Sequence, residues 1–409
     1  MKTTPFHDRL KPLNGTHLWE HWSGYLSAVK YQHSATFEYF AIRNSAALFD
    51  TSPLFKYRIS GPDAASFLGG VMTRDPETCA VGHGLYTAWC DDDGFVREDG
   101  VILRTGADEF WLAAAKPNLD YLARAAGCRQ VVVDDVSARF GILALQGPLS
   151  TDVLAAAGVD VAALPYFGVT SAALAGRRIM ISRTGFTGDL GYEIWVEAPD
   201  AIRVFDAIVG SGVDFNLVPI GSRALTMARL EAGMLLIDVD FSSVRHAWTP
   251  ADRETPDELG LGWMVPSSES RPFVGAAAIA RERELETTRW RTVGIQADPG
   301  AYEGMFNSRG LIAPKHGVYV DTSQSLYDRD FDAEPGGQYV GYVTSFMFSP
   351  LLKRHIGIAK VPFDRAGAGS EVYLERSVLH RPAYVKCHVV PMPMFNPPRK
   401  TALLALETS

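Results

Sequence analysis

The fold is decided by residues 183–197, which read R-T-G-F-T-G-D-L-G-Y-E-I-W-V-E. The first part is a glycine-rich turn, because Gly185, Gly188 and Gly191 permit backbone conformations and close approaches that a Cβ would hinder. The second part alternates between two kinds of side chain from Tyr192 onward, which is the pattern of a β-strand. The stretch therefore predicts a glycine turn that leads directly into a strand.

The strand that follows the turn has two different faces. One face carries Tyr192, Ile194 and Val196, and the other carries Glu193, Trp195 and Glu197. A carboxylate next to a tryptophan presents a planar acceptor beside a stacking surface, which suits a flat heterocycle with adjacent N–H donors. Alternation is also ordinary strand behaviour, so an edge strand with two solvated glutamates is the alternative interpretation.

Length and composition describe a folded protein with a large apolar core. A chain of 409 residues predicts two or three domains, and 47% apolar with 21% charged residues is typical of globular proteins. The net charge of −8 gives no electrostatic footprint for nucleic acid. No run approaches the roughly 18 apolar residues of a membrane span, and the first residues lack the apolar core of a signal peptide. We therefore expect a cytoplasmic protein that binds neither nucleic acid nor a membrane.

The spacing of cysteine and histidine gives no signature of a metal site or a disulfide scaffold. The 4 cysteines have no C-x-x-C spacing, which fits a reducing compartment. The 10 histidines form no H-E-x-x-H or comparable motif. G-x-S-x-G, P-loop and G-x-G-x-x-G motifs are also missing, so acyl transfer, P-loop nucleotide hydrolysis and dinucleotide binding lack support. We expect no metal site.

An aspartate inside a predicted hairpin is a candidate functional residue. The turn D-D-D-G at residues 91–94 separates G-L-Y-T-A-W-C from F-V-R-E-D-G-V-I-L-R, which predicts a hairpin. Asp99 lies within or at the start of the return strand, directly after Glu98. Strands are depleted in aspartate, and a half-buried aspartate needs a partner or a function. A bulge or an edge position is the alternative explanation.

A cation at the start of a predicted helix is a second candidate. Residues 219–233, P-I-G-S-R-A-L-T-M-A-R-L-E-A-G, predict a helix that Ser222 can cap. Arg223 lies in the first turn, where a cation is mildly unfavourable against the helix dipole. An arginine that faces a cavity there can bind a ligand carboxylate, whereas one that faces water is an ordinary surface residue.

Both ends of the chain have a distinctive composition. The first forty residues are rich in aromatic side chains, Trp19 and Trp22 among them, which form either plain core or the wall of a pocket. Beyond Thr287 the chain is rich in strand and turn signals, which favours a small antiparallel barrel. The predicted strands are R-T-V-G-I-Q-A, G-V-Y-V-D, Q-Y-V-G-Y-V-T-S, H-I-G-I-A-K-V, S-E-V-Y-L-E-R and A-Y-V-K-C-H-V-V.

Several segments, taken in order, resemble the glycine-cleavage T-protein family of tetrahydrofolate-dependent aminomethyltransferases. They are A-A-L-F-D-T-S-P, G-L-Y-T with D-D-D-G-F-V-R-E-D-G, A-L-Q-G-P, R-T-G-F-T-G-D-L-G-Y-E-I, S-R-A-L-T-M-A-R-L-E-A-G-M, L-G-L-G-W-M-V, R-P-F-V-G and V-G-Y-V-T-S-F-M-F-S-P-L-L-K-R-H-I-G-I-A-K-V. Each segment is weak evidence by itself, but together they extend over most of the chain in the order of the family.

The resemblance implies an α+β fold with three subdomains around a central folate cavity and a C-terminal antiparallel β-barrel. Residues 1–286 would form the folate-binding region, with two interleaved α+β subdomains, and residues 287–409 would form the barrel domain. The implied reaction moves a one-carbon unit from a donor to N5 of tetrahydrofolate. The implied partner is a small-molecule one-carbon donor or a lipoyl carrier protein.

The resemblance also implies roles for individual residues. Asp99 corresponds to the catalytic aspartate beside N5 of tetrahydrofolate, and Glu193 corresponds to the carboxylate that holds the pterin edge. Tyr86 is expected to line the cavity, and Arg223 is expected to help bind the folate. Trp195, which the strand pattern places as a stacking surface beside Glu193, is a further candidate contact to the folate. A carboxylate beside N5 can orient the amine and stabilise positive charge that develops during one-carbon transfer.

The chain departs from the family pattern mainly in regions expected to contact the donor. Residues 113–115 are alanines where an asparagine is usual, and Ile237-Asp238 replaces a Tyr-Gly pair. The motif G-W-x-M-P-V-x-Y is missing near the N-terminus, and the segments 240–258 and 327–338 look expanded. The departures indicate a divergent paralogue whose donor differs from an aminomethyl-lipoyl arm.

Three functions therefore stay open. The first is aminomethyltransferase-like one-carbon transfer, and the second is tetrahydrofolate-dependent O-, N- or S-demethylation of a small methylated substrate. The third is non-catalytic folate binding, as in iron–sulfur assembly relatives of this fold. Those relatives carry a K-G-C-Y-x-G-Q type motif where this chain reads M-L-L-I-D-V-D without a cysteine, which counts against the third function.

Overall fold

The computed structural model describes residues 1–266, 271–315, 324–329 and 337–403. Its helices are α1 His7–Leu10, α2 Ala35–Asn44, α3 Ala64–Val71, α4 Leu119–Ala126, α5 Ser150–Ala156, α6 Ala201–Gly212, α7 Ser222–Glu231, α8 Ala276–Glu284 and α9 Pro299–Asn307. Its strands are β1 Trp19–Trp22, β2 Tyr25–Ala28, β3 Ala46–Asp50, β4 Phe55–Ser60, β5 His83–Cys90, β6 Val96–Gly106, β7 Glu109–Ala114, β8 Val132–Asp135, β9 Phe140–Gln146, β10 Val169–Leu174, β11 Arg177–Ser182, β12 Gly191–Glu197, β13 Leu217–Pro219, β14 Trp290–Ala297, β15 Gln324–Tyr327, β16 Tyr339–Ser349, β17 Arg354–Pro362, β18 Glu371–Val378 and β19 Arg381–Val390.

The chain forms two compact units that alternate along the sequence. The first unit contains Met1–Leu225, Pro266–Ala277 and the chain from Pro397 onward. The second unit contains Thr226–Val265 and Ala278–Asn396. The predicted assignment of residues 1–286 to a folate-binding region and of residues 287–409 to a barrel domain stays a prediction.

Strand β12, the second part of residues 183–197, lies in the middle of a sheet in the first unit. The sheet has six strands in the order β10-β11-β12-β9-β3-β13, so β12 has a neighbour on each side. The interpretation of this strand as an edge strand is therefore wrong. Its apolar residues point to a core with α5 and α6, which includes Tyr192, Ile194 and Val196. The predicted alternation of faces is confirmed.

The glycines of this stretch make room for a buried glutamine. A Cβ on Gly185 or Gly191 would overlap the side chain of Gln146 on β9. That side chain accepts a hydrogen bond from the Thr187 hydroxyl at 2.8 Å and donates one to the Thr184 carbonyl at 3.2 Å. Close approach, more than unusual backbone angles, thus explains two of the three glycines.

A second sheet of the first unit contains the predicted hairpin. Its five strands have the order β5-β6-β7-β4-β8, and the turn after β5 contains Gly94 at φ 82°. The amide of Gly94 donates to the Asp91 carbonyl at 3.0 Å, so the D-D-D-G turn is confirmed. One face of this sheet packs on α3 and α4 around Phe67, Leu122 and Trp89.

The opposite faces of the two sheets pack against each other through a small apolar cluster. Its buried members are Leu103 on β6, Ile142 on β9, Val169 on β10 and Trp195 on β12. The indole rings of Trp111 and Trp195 meet edge-on, with centroids 6.0 Å apart. We call the sheet faces that carry this cluster the inward faces.

The second unit contains the barrel that the C-terminal sequence predicts. Six described strands close in the order β14-β17-β16-β15-β18-β19, and all their pairings are antiparallel. The α+β class with a C-terminal antiparallel barrel is therefore confirmed. The predicted strand G-V-Y-V-D, residues 317–321, lies outside the described residues, and β15 supplies a strand that was not predicted. Among the described helices, none has the length and apolar character needed to span a membrane.

Candidate functional site

Asp99 and Tyr86 form one half of the candidate site. Val101 packs against the apolar cluster between the two sheets, so its side chain lies on the inward face of β6. Asp99 lies two residues before Val101, and the alternation of side chains along the strand places Asp99 on the same face. Tyr86 lies opposite Val101 on β5. The Tyr86 hydroxyl donates a hydrogen bond of 2.5 Å to Oδ2 of Asp99. The structure therefore brings together two residues that the sequence placed on separate strands.

The carboxyl group of Asp99 titrates close to neutral pH. Burial raises its pKa from 3.8 to about 6, and the hydrogen bond from Tyr86 opposes this effect by stabilising the ionised form. Burial and the charge of Asp99 raise the pKa of Tyr86 well above 10, so this hydroxyl keeps its proton. At pH 7 to 8 Asp99 is therefore mostly an ionised acceptor beside a neutral donor.

The neighbouring acid, Glu98, lies on the other face of β6, where it stabilises the fold. Its side chain is 1% exposed and accepts hydrogen bonds from the Lys116 amide at 2.7 Å and from the Asn118 side chain. Burial raises its pKa to about 8. Both Glu98 oxygens anchor the start of α4, which leaves Asp99 as the acid on the inward face of this strand.

Glu193 forms the other half of the candidate site, on the inward face of β12. Its Oε2 atom accepts a hydrogen bond of 2.5 Å from the Thr184 hydroxyl, which also contacts the Ser182 hydroxyl at 2.7 Å. Burial raises the pKa of Glu193 although the Thr184 bond lowers it. The side chain is half-buried, and its Oε1 atom accepts no hydrogen bond from the described residues. One carboxylate oxygen thus remains for a ligand.

Trp195 follows Glu193 on the same face but belongs to the packed cluster. It is 2% exposed, and its indole Nε1 is a buried donor without a hydrogen-bond partner among the described residues. The structure therefore places the ring next to Glu193, as the alternation predicted. Its role as a folate contact stays a prediction.

Arg223 lies in the first turn of α7 with an exposed side chain. Its backbone amide donates to the Val29 carbonyl at 3.2 Å, which fixes the helix start near β2. The helix begins at Ser222, and capping by the Ser222 side chain stays a prediction. The role of Arg223 in binding a ligand stays a prediction.

The polar groups on the inward faces fit a flat ring with adjacent N–H donors. Two carboxylates, Asp99 and Glu193, come from facing sheets, and each accepts a hydrogen bond from one hydroxyl of the protein. Acceptor-only groups of this kind pair with N–H donors of a ligand. Within the described residues, no group of three or more His, Cys, Asp or Glu side chains is placed to hold a metal ion.

Sequence reasoning missed Thr184 and the register between β5 and β6. Thr184 lies inside the glycine-rich turn, where the sequence gives no sign that its hydroxyl turns back to Glu193. The pairing of Tyr86 with Val101 depends on an irregularity between Trp89 and Cys90 that shifts the hairpin by one residue. Strand partners assigned by counting residues outward from the D-D-D-G turn would be wrong by one position unless this extra residue were included.

Two family models match the chain. One is described as the GCVT N-terminal domain and matches residues 6–269. The other is described as the glycine cleavage T-protein C-terminal barrel domain and matches residues 312–396. Together they cover both the sheets that carry the candidate site and most of the barrel.

Curated relatives and a solved structure agree with these matches. An aminomethyltransferase of Halothermothrix orenii is 30% identical over 377 residues, which cover 91% of this chain and 95% of the relative. An aminomethyltransferase of Listeria monocytogenes is 32% identical over 364 residues, which cover 88% of this chain and 89% of the relative. The crystal structure of a glycine cleavage system aminomethyltransferase T from Bartonella henselae has a TM-score of 0.79 at 23% identity, and the match covers 97% and 98% of the two chains. This last likeness concerns the fold.

Proposed function

Because this chain belongs to the glycine cleavage T-protein family of aminomethyltransferases, we propose that it transfers a one-carbon unit from a donor to N5 of tetrahydrofolate. The observation that carries the proposal is the pair of half-buried carboxylates, Asp99 and Glu193, on facing sheets of one compact unit. Each carboxylate has one hydroxyl partner from the protein, and neither is neutralised by an ion pair with a described residue.

In this proposal Glu193 binds the pterin edge. The Thr184 bond fixes the orientation of the carboxylate, and the remaining Oε1 atom accepts an N–H of the ring. A hydrogen bond from a ligand to a carboxylate contributes about 1.5–3 kcal/mol, and partial burial strengthens it by removing competing water. The exposed guanidinium of Arg223 provides a charge for the carboxylates at the far end of the folate.

Asp99 acts at the reacting end of the ligand. Bound tetrahydrofolate supplies the nucleophilic nitrogen that takes up the one-carbon unit. The ionised Asp99 accepts the proton of the amine and stabilises positive charge near it, while Tyr86 holds the carboxylate in position. The apolar cluster of Leu103, Ile142 and Trp195 excludes water from one side. The protein thus contributes orientation and electrostatics, and it forms no covalent bond with the substrate.

Calorimetric titration with tetrahydrofolate tests the binding half of the proposal. We expect Glu193→Gln to weaken binding by about 10- to 100-fold, because an amide replaces the charged acceptor. Glu197→Gln is the matched control, since Glu197 lies on the same strand and face but is exposed, and it should leave the affinity unchanged. Equal affinity of the wild type and Glu193→Gln would contradict the assignment.

The catalytic half is tested with Asp99→Asn. This variant should retain tetrahydrofolate binding and lose at least about 100-fold in transfer rate, as is typical when a general base is removed. The product identifies the donor class, because 5,10-methylene-tetrahydrofolate indicates aminomethyl transfer from a carrier such as a lipoyl protein, and 5-methyl-tetrahydrofolate indicates demethylation. A different outcome would indicate a non-catalytic folate-binding protein: Asp99→Asn binds tetrahydrofolate as tightly as the wild type does, and the wild type shows no turnover with any donor.

A further inference from the structure

The second unit contains a cavity that is lined by none of the candidate-site residues, and we call it the barrel cavity. Its volume is about 170 Å³. Its lining comes from α9, from Lys315 and from β16 and β17 on either side of the turn that joins them. An engineered apolar cavity of about 150 Å³ binds benzene. The barrel cavity therefore has room for a ligand built on a single six-membered ring.

His355 is a buried polar residue in the wall of the barrel cavity. It is 8% exposed, and its ring stacks on that of Tyr302 with centroids 3.7 Å apart. Its Nε2 atom donates a hydrogen bond of 3.1 Å to the Pro314 carbonyl, because a carbonyl oxygen can only accept. In the neutral ring the Nδ1 atom is then an acceptor, and it has no hydrogen-bond partner among the described residues. A ligand with an O–H or N–H group on its ring can supply the donor.

The charged side chains that line the barrel cavity are three cations and one carboxylate. Glu303 forms an ion pair of 2.6 Å with Lys315, which leaves Lys353 and Arg354. Arg354 donates to the neutral amide oxygen of Gln296 at 3.1 Å, and neither Lys353 nor Arg354 forms an ion pair with a described residue. The lining thus carries two positive charges without an acidic partner.

The charges around His355 also favour an anion. Burial lowers the pKa of His355 from 6.5 to about 4, the hydrogen bond to Pro314 opposes this effect, and the charges of Arg376 and Lys315 lower the pKa further. The imidazole is therefore neutral at pH 7, and its surroundings are dominated by positive charge. A negatively charged ligand is the electrostatic complement of such a cavity.

The turn between β16 and β17 holds one of these cations in an uncommon conformation. Lys353 has a φ angle of 57°, and its amide donates to the Ser349 carbonyl at 2.9 Å, which closes the turn. A residue other than glycine at such an angle costs about 1–3 kcal/mol, and strain of this kind concentrates at ligand sites. Arg354 follows directly as the first residue of β17.

The apolar part of the lining that remains available comes from Pro299 on α9 and Phe348 on β16. Pro299 is exposed and Phe348 is half-buried, whereas Tyr302 is enclosed at 3% exposure. A ligand ring that covers Pro299 and Phe348 gains about 25 cal/mol for each Å² of apolar surface removed from water. The cavity therefore combines an apolar contact surface, an acceptor in its wall and unpaired cations.

We propose that the barrel cavity binds a small aromatic carboxylate that carries a hydrogen-bond donor on its ring. The ring packs on Phe348 and Pro299, the ring donor binds Nδ1 of His355, and the carboxylate pairs with Lys353 and Arg354. The inference is independent of the proposed function, because Asp99 and Glu193 belong to the first unit and the whole lining belongs to the second.

Calorimetric titration of the full-length protein with matched probes tests the proposal. The probes are 3- and 4-hydroxybenzoate, benzoate without the ring donor, and the two hydroxybenzyl alcohols without the charge. We expect at least one hydroxybenzoate to bind at least about 10-fold more tightly than its alcohol, because the charge-assisted contacts are lost in the alcohol. It should also bind about 3- to 10-fold more tightly than benzoate, which lacks one neutral hydrogen bond.

Two variants assign the binding to the barrel cavity. The double variant Lys353→Gln/Arg354→Gln should weaken hydroxybenzoate binding by at least about 10-fold and leave tetrahydrofolate affinity within twofold. Arg381→Gln is the matched control, since Arg381 is an exposed cation of β19 outside the lining, and it should change neither affinity. His355→Phe keeps a ring in the stack but removes the acceptor, so hydroxybenzoate and benzoate should bind this variant equally.

Three results would overturn the inference. They are failure of both hydroxybenzoates to bind the wild type, equal binding of each hydroxybenzoate and its alcohol, and unchanged hydroxybenzoate affinity in the double variant. The double variant replaces surface side chains only, so its outcome is decisive even if His355→Phe folds poorly. Failure of tetrahydrofolate to bind the wild type would refute the proposed function and leave this inference standing.

Discussion

Replacing Tyr86 with phenylalanine is expected to raise the pKa of Asp99 by removing its protein hydrogen bond. The bond is short, 2.5 Å from the hydroxyl to Oδ2, and it stabilises the ionised carboxylate. A hydrogen bond to a charged group contributes about 1.5–3 kcal/mol, and about 1.4 kcal/mol corresponds to one pKa unit. The pKa of Asp99 is about 6 in the wild type, so we expect about 7 or above in Tyr86→Phe.

The pKa is measured directly by NMR titration of protein labelled with ¹³C at the aspartate carboxyl carbon. The spectrum of Asp99→Asn identifies the resonance, and the titration needs neither a donor nor a folate. Activity gives a second readout, because a rate that requires ionised Asp99 falls as the pH drops through its pKa. The pKa that governs the acid limb of the pH profile of kcat/KM should therefore rise together with the pKa of Asp99 measured by NMR. An unchanged or lowered pKa in Tyr86→Phe would refute the view that the tyrosine stabilises the charged form.

Two further predictions concern stability. Burial lowers the pKa of His355 from 6.5 to about 4, so the unfolded chain binds a proton at a higher pH than the folded chain does. The free energy of unfolding should therefore fall by about 3 kcal/mol as the pH drops from above 6.5 to about 4. Denaturation with urea should show that His355→Phe loses less stability over this range than the wild type, and equal losses would exclude the histidine as the cause. Gly191→Ala should destabilise the protein by about 1–3 kcal/mol because its Cβ overlaps Gln146, whereas Gly210→Ala, which meets open space on a helix, should not destabilise it. Thermal unfolding of both variants checks this, and equal melting temperatures would contradict the packing argument.

The local pattern of the sequence was sufficient for the elements that depend on neighbouring residues. The turn at residues 91–94 and the two faces of β12 follow from glycine signals and from the alternation of side chains. Five of the six predicted barrel runs correspond to described strands for the same reason. The short strand β15 and the hairpin of β10 and β11 were missed, because four to six residues of mixed polarity carry little periodic signal.

The strand patterns made the two carboxylates candidates and the family resemblance implied their roles, but their arrangement depends on contacts between distant residues. Asp99 and Tyr86 are 13 positions apart and meet only because the hairpin has an irregularity near its turn. The hydroxyl of Ser23 reaches Ala115 over a separation of 92 positions. No local pattern contains such a pairing, since it depends on how whole sheets pack.

The sequence by itself determined that a glycine turn leads into a two-faced strand carrying Glu193, and that a barrel follows, because alternation and turn chemistry act over a few residues. Only the tertiary structure decided that this strand lies inside its sheet, that Trp195 is enclosed in an apolar cluster, and that Trp22 lies on Phe49. These outcomes depend on which faces are buried against each other, and burial is a property of the whole folded unit.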